Sequence, residues 1–202
     1  MFLKALGKLA ATTLLGAALA GCIDADVDVE LLSATTARAT ITQVMGADFY
    51  AMIKMNAEGS KGQSEPEEFC ATGALTENSD GTATCIIIEE GRFADLTLGA
   101  KQEIVQFTPA GRGLVRVSLR TARMKAEIGA DEAMDDETRK MVEAFFAGRG
   151  ATVRFSGLEI TDTNMDLSSD GRSAQQKIQF LDLLRGTADL PEEVYAVVQV
   201  AR

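Results

Sequence analysis

Three side chains in this sequence can form covalent links: Cys22, Cys70 and Cys85. Cys22 follows an uncharged run, Leu9 to Ala20, that reads LAATTLLGAALA. Cys70 and Cys85 enclose fourteen residues, with Gly73 and the turn Asn78-Ser79-Asp80-Gly81 among them. There is no histidine, which removes the Ser-His-Asp triad, the Cys-His pair and every imidazole metal ligand. Carboxylates are the other groups with chemical potential. Acids occupy positions 24, 26, 28 and 30, and Asp131, Glu132, Asp135, Asp136 and Glu137 cluster further on. Two carboxylates can hydrolyse a glycoside only where they converge in a cleft, and linear spacing here shows no convergence, so no catalytic residue is assigned. Carboxylates two apart on a strand point outward in parallel rather than toward one ion. Asp162, Asn164 and Asp166 copy the first three positions of an EF-hand loop, but Leu167 stands where its Gly belongs and Ser173 where its Glu belongs. Met45, Met52 and Met55 offer thioethers to copper(I), yet methionine more simply fills gaps in a core. The expectation is no metal site and no cofactor.

The first eight residues carry Lys4 and Lys8, and the apolar run behind them is too short to span a bilayer, which takes roughly 20 residues. The run closes on Leu19-Ala20-Gly21-Cys22, which resembles the lipobox of bacterial lipoproteins. The resemblance implies that residues 1–21 are a signal peptide, that the Cys22 thiol takes a diacylglycerol, and that the new amine is acylated with a chain such as palmitate. Two or three acyl chains anchor firmly where one does not. The implied product is a single domain of residues 22–202, tethered through Cys22 and facing the periplasm. Its 18 basic and 30 acidic side chains give a charge of −12, so the lipid rather than a basic patch must hold the membrane. Ile23 follows the cysteine and Asp24 is one further on; this favours the outer membrane over the inner. In that oxidising compartment Cys70 and Cys85 read as a disulfide, worth roughly 3 kcal/mol for a loop of this size. A redox pair would show C-x-x-C, and a zinc site would need two more ligands.

Positioning these residues requires folded elements. Residues 24–31 alternate acids with Ala25, Val27, Val29 and Leu31, the mark of a strand with one wet face. Residues 38–44 alternate likewise, as its hairpin partner. Asp48 is a candidate N-cap for a helix over 49–56, and 57–69 reads as a surface loop. Strands follow near 72–76 and 82–89, then a helical turn at 92–98. Strands 102–108 and 114–119 form a hairpin through Pro109-Ala110-Gly111-Arg112-Gly113. Residues 131–147 read as a helix with Met134, Thr138, Met141, Val142, Phe145 and Phe146 in one stripe, acids toward its start, and Gly148 as its C-cap. Strands are expected near 151–156, 157–162, 174–181 and 193–200. The sum is an α+β fold: a mainly antiparallel sheet of hairpins with one or two amphipathic helices packed on it.

The chain has 202 residues, 46% hydrophobic, with a net charge of −10, enough for one domain with its own core. That composition excludes a disordered chain, and the acidity excludes nucleic acid as a partner. Thr163-Asn164-Met165 and Ser169-Asp170-Gly171-Arg172 before a late strand resemble the LppM-like domain of envelope lipoproteins, where an Asn-containing strand end precedes a turn of this kind. That resemblance implies a small α+β domain suspected of contacting envelope lipids or glycolipids. The expected function is a non-catalytic envelope lipoprotein that binds a lipid-like or other envelope ligand between its sheet and its amphipathic helix. Met134, Met141, Val142, Phe145 and Phe146 are the candidate apolar binding face. The alternative is an accessory or structural subunit docking on a membrane protein complex.

Overall fold

A computed structural model describes residues 23–59, 69–98, 105–122 and 135–201. The lipobox, Cys22, Met134 and the Phe145 side chain lie outside what is described.

The alternating acids and aliphatics at the start form β1 (Ile23–Leu31), and Thr36–Met45 forms β2, antiparallel to it, with Ile23 opposite Met45 and Leu31 opposite Ala37. Ser33 closes the turn: its hydroxyl oxygen accepts from the Thr36 N–H at 3.1 Å. Beyond β2 lie β4 (Ala83–Arg92) and, at the edge, β3 (Ala74–Glu77). The other side of β1 is taken by a parallel strand, β7 (Gly150–Ser156), with Ala25 opposite Ala151. Then come β10 (Ser173–Gln179) and the two-residue β9 (Asp166–Leu167). The order of this seven-stranded sheet is β3-β4-β2-β1-β7-β10-β9. A second sheet of four strands runs β5 (Val105–Gly111), β6 (Leu114–Arg120), β11 (Glu193–Gln199), β8 (Glu159–Thr163).

The two sheets share one core. Val29, Leu31, Ala39, Val153 and Phe155 from the larger meet Val115, Val117, Val194, Ala196 and Val198 from the smaller. The chain crosses between sheets at Gly157, where an added Cβ would lie 2.3 Å from Val198 Cγ1. Only glycine fits that approach.

Among the described residues the longer helices are α1 (Ala47–Gly59), α2 (Asp136–Phe146) and α3 (Phe180–Leu184). α1 follows the last residues of β2, α2 precedes the first of β7, and α3 follows the last of β10. All three therefore gather at the end of the large sheet where β1 begins. Tyr50, Phe49 and Ile53 of α1 pack with Met45, Ala83 and Phe69 there. Phe146 of α2 and Phe180 and Leu183 of α3 pack with Ala25, Ala151 and Ile178.

The architecture corrects the α+β expectation. The chain is mostly β, and what covers most of the inner face of the large sheet is a second sheet, the helices covering only the end where β1 begins. The stripe within 131–147 does form a helix, but Asp135 to Met141 are all exposed and α2 touches the body chiefly through its last turn. Periodicity revealed that this helix is two-faced; it carried no information on what the apolar face meets. Smaller corrections follow. α1 begins at Ala47, so Asp48 lies inside its first turn rather than capping it. Asp135 is the N-cap of α2, its Oδ1 accepting from the N–H groups of Glu137 and Thr138 at 3.0 and 2.8 Å. Residues 180–184, expected in part as strand, turn into α3. Among the described residues no helix is long and apolar enough to cross a membrane.

Candidate functional site

The period-two strands sort their side chains onto two faces. With the aliphatics turned to the core, the polar positions of five strands share the outer face of the large sheet. Register places them in three rows. Glu90, Arg38, Glu30 and Ser156 lie side by side, then Ile88, Thr40, Asp28, Arg154 and Gln175, then Ile86, Thr42, Asp26, Thr152 and Lys177. The middle of this face is hollowed into a groove of about 710 Å3.

The groove is held by crossed charge. Arg38 donates from Nε to Glu90 at 2.8 Å and from Nη1 to Glu30 at 3.4 Å. Arg154 donates to Asp28 at 3.2 Å and to Gln175 at 3.1 Å. These pairs are exposed and add little to stability. Their effect is positional: each long side chain is fixed across its neighbours, leaving a patterned floor. Asp26, Thr40, Thr42 and Thr152 make no side-chain hydrogen bond among the described residues and face the groove. The arrangement offers an incoming molecule a free carboxylate and three hydroxyls between two braced guanidiniums, with the Lys177 ammonium in the third row. That set suits a ligand rich in hydrogen-bonding groups, not an alkyl chain. On the β4 side, Ile86 and Ile88 are 37% and 64% exposed and form an apolar margin.

The acidic row on β1 was legible as one strand face. The cations and hydroxyls that complete the groove were not singled out. The available signal was the same alternation in Arg38-Thr40-Thr42, Thr152-Arg154-Ser156 and Gln175-Lys177.

A second hollow, about 460 Å3, lies between α1 and β3. Lys54 donates to Glu77 at 3.0 Å and the Tyr50 hydroxyl donates to it at 2.8 Å. These bonds hold the Glu77 carboxyl below its usual range, and burial followed by the Glu77 contact pushes the Tyr50 phenol up. The cluster ties the helix to the sheet corner.

Cys70 and Cys85 form a disulfide, Cα to Cα 5.5 Å, with Cys85 fully buried. Gly73 allows it: an added Cβ would lie 2.8 Å from Cys85 Sγ. On α2, Met141 is 69% exposed, Val142 is half-buried, and the Phe146 ring meets Phe180 edge-on at 6.0 Å. Neither hollow is lined by a residue of α2. The EF-hand-like residues have local partners. Asp162 accepts from the Tyr195 hydroxyl at 3.1 Å. The Asn164 amide donates to Glu193 O and accepts from Tyr195 N–H, both at 2.8 Å, continuing the β8–β11 ladder with a side chain. Met45 is buried in the core, whereas Met52 and Met55 are exposed on α1.

No protein-family model and no curated protein matches the chain. Among solved structures it is similar to the folded domain of LppM from Mycobacterium tuberculosis, determined by NMR, at 12% identity and a TM-score of 0.43, over 90% of this chain and 92% of that one. A likeness at that identity and score does not establish a common fold.

Proposed function

We propose that the chain is a non-catalytic lipoprotein of the cell envelope. A lipid on Cys22 tethers it, on the periplasmic face of the outer membrane, and the groove on the outer face of its large sheet takes a polar envelope ligand. The observation that carries the tether is Leu19-Ala20-Gly21-Cys22 behind a basic start and a short apolar run. The hydroxyls and charges of the groove support a polar ligand over the lipid-like one expected from the α2 stripe. Feeding cells an alkyne-bearing fatty acid should label the wild-type chain and leave Cys22→Ser unlabelled and in the aqueous phase on detergent partition. Equal labelling of both would end the tether reading. Native mass spectrometry of the acylated chain tests the groove. A bound mass present in wild type and lost in Arg154→Ala/Lys177→Ala supports it; a ligand-free wild type, or one bound equally by the variant, counts against it.

A second reading, an accessory subunit docked on a membrane complex, is favoured by one feature. β3 pairs with β4 only from Ala83 to Ile86, and the exposed Ile88 lies just beyond. A partner strand added there would bury it.

A further inference from the structure

β1 is a central strand, bonded to β2 on one side and β7 on the other, and it begins at Ile23. The residue before Ile23 is Cys22. Consecutive Cα atoms are about 3.8 Å apart, so no tether separates the lipidated position from the folded sheet. Nor can the start of β1 peel away cheaply. The Asp24 carboxylate accepts from Arg149 at 3.1 Å and from the Gly150 N–H at 2.9 Å. A lipid on Cys22 must therefore bring this end of the sheet down to the headgroups.

This is also the end where these three helices gather, and among the described residues the large apolar side chains they leave in water are Met52 at 43%, Met55 at 66% and Met141 at 69% exposed. We propose that the helical end of the domain rests on the bilayer that holds the Cys22 lipid, with these three methionines as its bilayer contacts. The inference rests on the reading of Cys22 as acylated. The described side chains of the three helices and their caps include Lys54, Arg139, Lys140 and Arg185 against Asp48, Asp135, Asp136, Glu137, Glu143 and Asp182, an acidic excess, so attraction to anionic headgroups does not drive the docking. The covalent lipid supplies the proximity, and unbranched, adaptable methionine suits a fluid surface. The strands then stand upright. The nine residues of β1 put the opposite pole about 26 Å from the bilayer. The groove faces sideways, open to the periplasm at its whole length.

The test uses the full acylated chain in phosphatidylethanolamine/phosphatidylglycerol vesicles whose acyl chains carry bromine, a contact quencher. A fluorophore is attached in turn at Met55→Cys, Met141→Cys, Thr35→Cys and Leu167→Cys. The last two sit at the far pole, and Leu167 is itself 54% exposed, which controls for mere greasiness. Flotation and an intact mass for each variant report the anchor independently. The expected result is that labels at 55 and 141 lose most of their fluorescence while those at 35 and 167 keep it. Floating protein with unquenched labels at 55 and 141, or equal quenching at both poles, overturns the orientation and leaves the anchor standing. A chain that carries no lipid and does not float removes the anchor, and this orientation with it.

Discussion

Glu89 of β4 turns its carboxylate to the segment after the 3-10 turn Phe93–Asp95. It accepts from the Thr97 hydroxyl and from the N–H groups of Thr97 at 2.7 Å and Leu98 at 3.1 Å. Leu98 sits at φ 45°, a left-handed backbone that a leucine adopts only when its surroundings impose it. Burial pushes the Glu89 carboxyl up, but the bonds from Thr97 and Leu98 outweigh it and hold the group below its ordinary value of 4.5. A carboxylate lowered on folding contributes stability above its unfolded pKa and loses it as pH falls through the folded one. Glu89→Gln should cost about 1 kcal/mol at neutral pH, discounted for partial solvent exposure. It should also flatten the loss of Tm between about pH 5 and pH 3, read from melts across that range. Gly157→Ala should be harsher, about 2–4 kcal/mol, because Val198 behind it is fully buried and has nowhere to move. Urea denaturation gives that number directly; a loss below 0.5 kcal/mol, the ordinary surface level, would contradict the close approach. Neither residue was legible beforehand. A carboxylate eight residues from its partners carries no motif, and a lone Gly between two strands reads as an ordinary turn.

The elements were more legible than their packing. The strand pairs β1–β2 and β5–β6 were plain from period-two alternation and from Ser, Thr, Pro and Gly between them, all local signals. The disulfide was legible from the cysteine count and the implied compartment. Replacing both its cysteines with serine should lower stability by about 2–4 kcal/mol, seen as a drop in the urea midpoint, since the bond closes the segment between Cys70 and Cys85 that carries β3. α3 was missed because Phe180 continues the period-two placement of Ala174 and Ile178 in β10 and gives no cue to where extension stops. The parallel pair β1–β7 was missed for another reason: Asp24 and Gly150 bond across 126 positions, and nothing in either segment points to the other. The α2 stripe misled the fold class because an amphipathic helix can lie on a sheet, dock by one end or meet a separate surface, and the pattern is the same in each case.

At the scale of the molecule the two sheets form one cooperative unit, because Phe155 and its neighbours take contacts from both. Phe155→Ala should cost about 3–5 kcal/mol and leave a single transition, with near- and far-ultraviolet circular dichroism falling together. Separate transitions for the two sheets would show that they are stabilised apart. The placement of β1 also bears on how the chain is made. In the export route proposed above, the first folded strand to emerge lies in the middle of the finished sheet, and its second neighbour follows only after more than a hundred further residues. Until then one edge of β1 has no strand to pair with, a hazard for association with other nascent chains. On the proposed acylation of Cys22, lipid transfer would come while that strand is still waiting, before the fold has closed around it. A chain truncated at residue 148 should therefore reach the membrane but fail to acquire protease resistance.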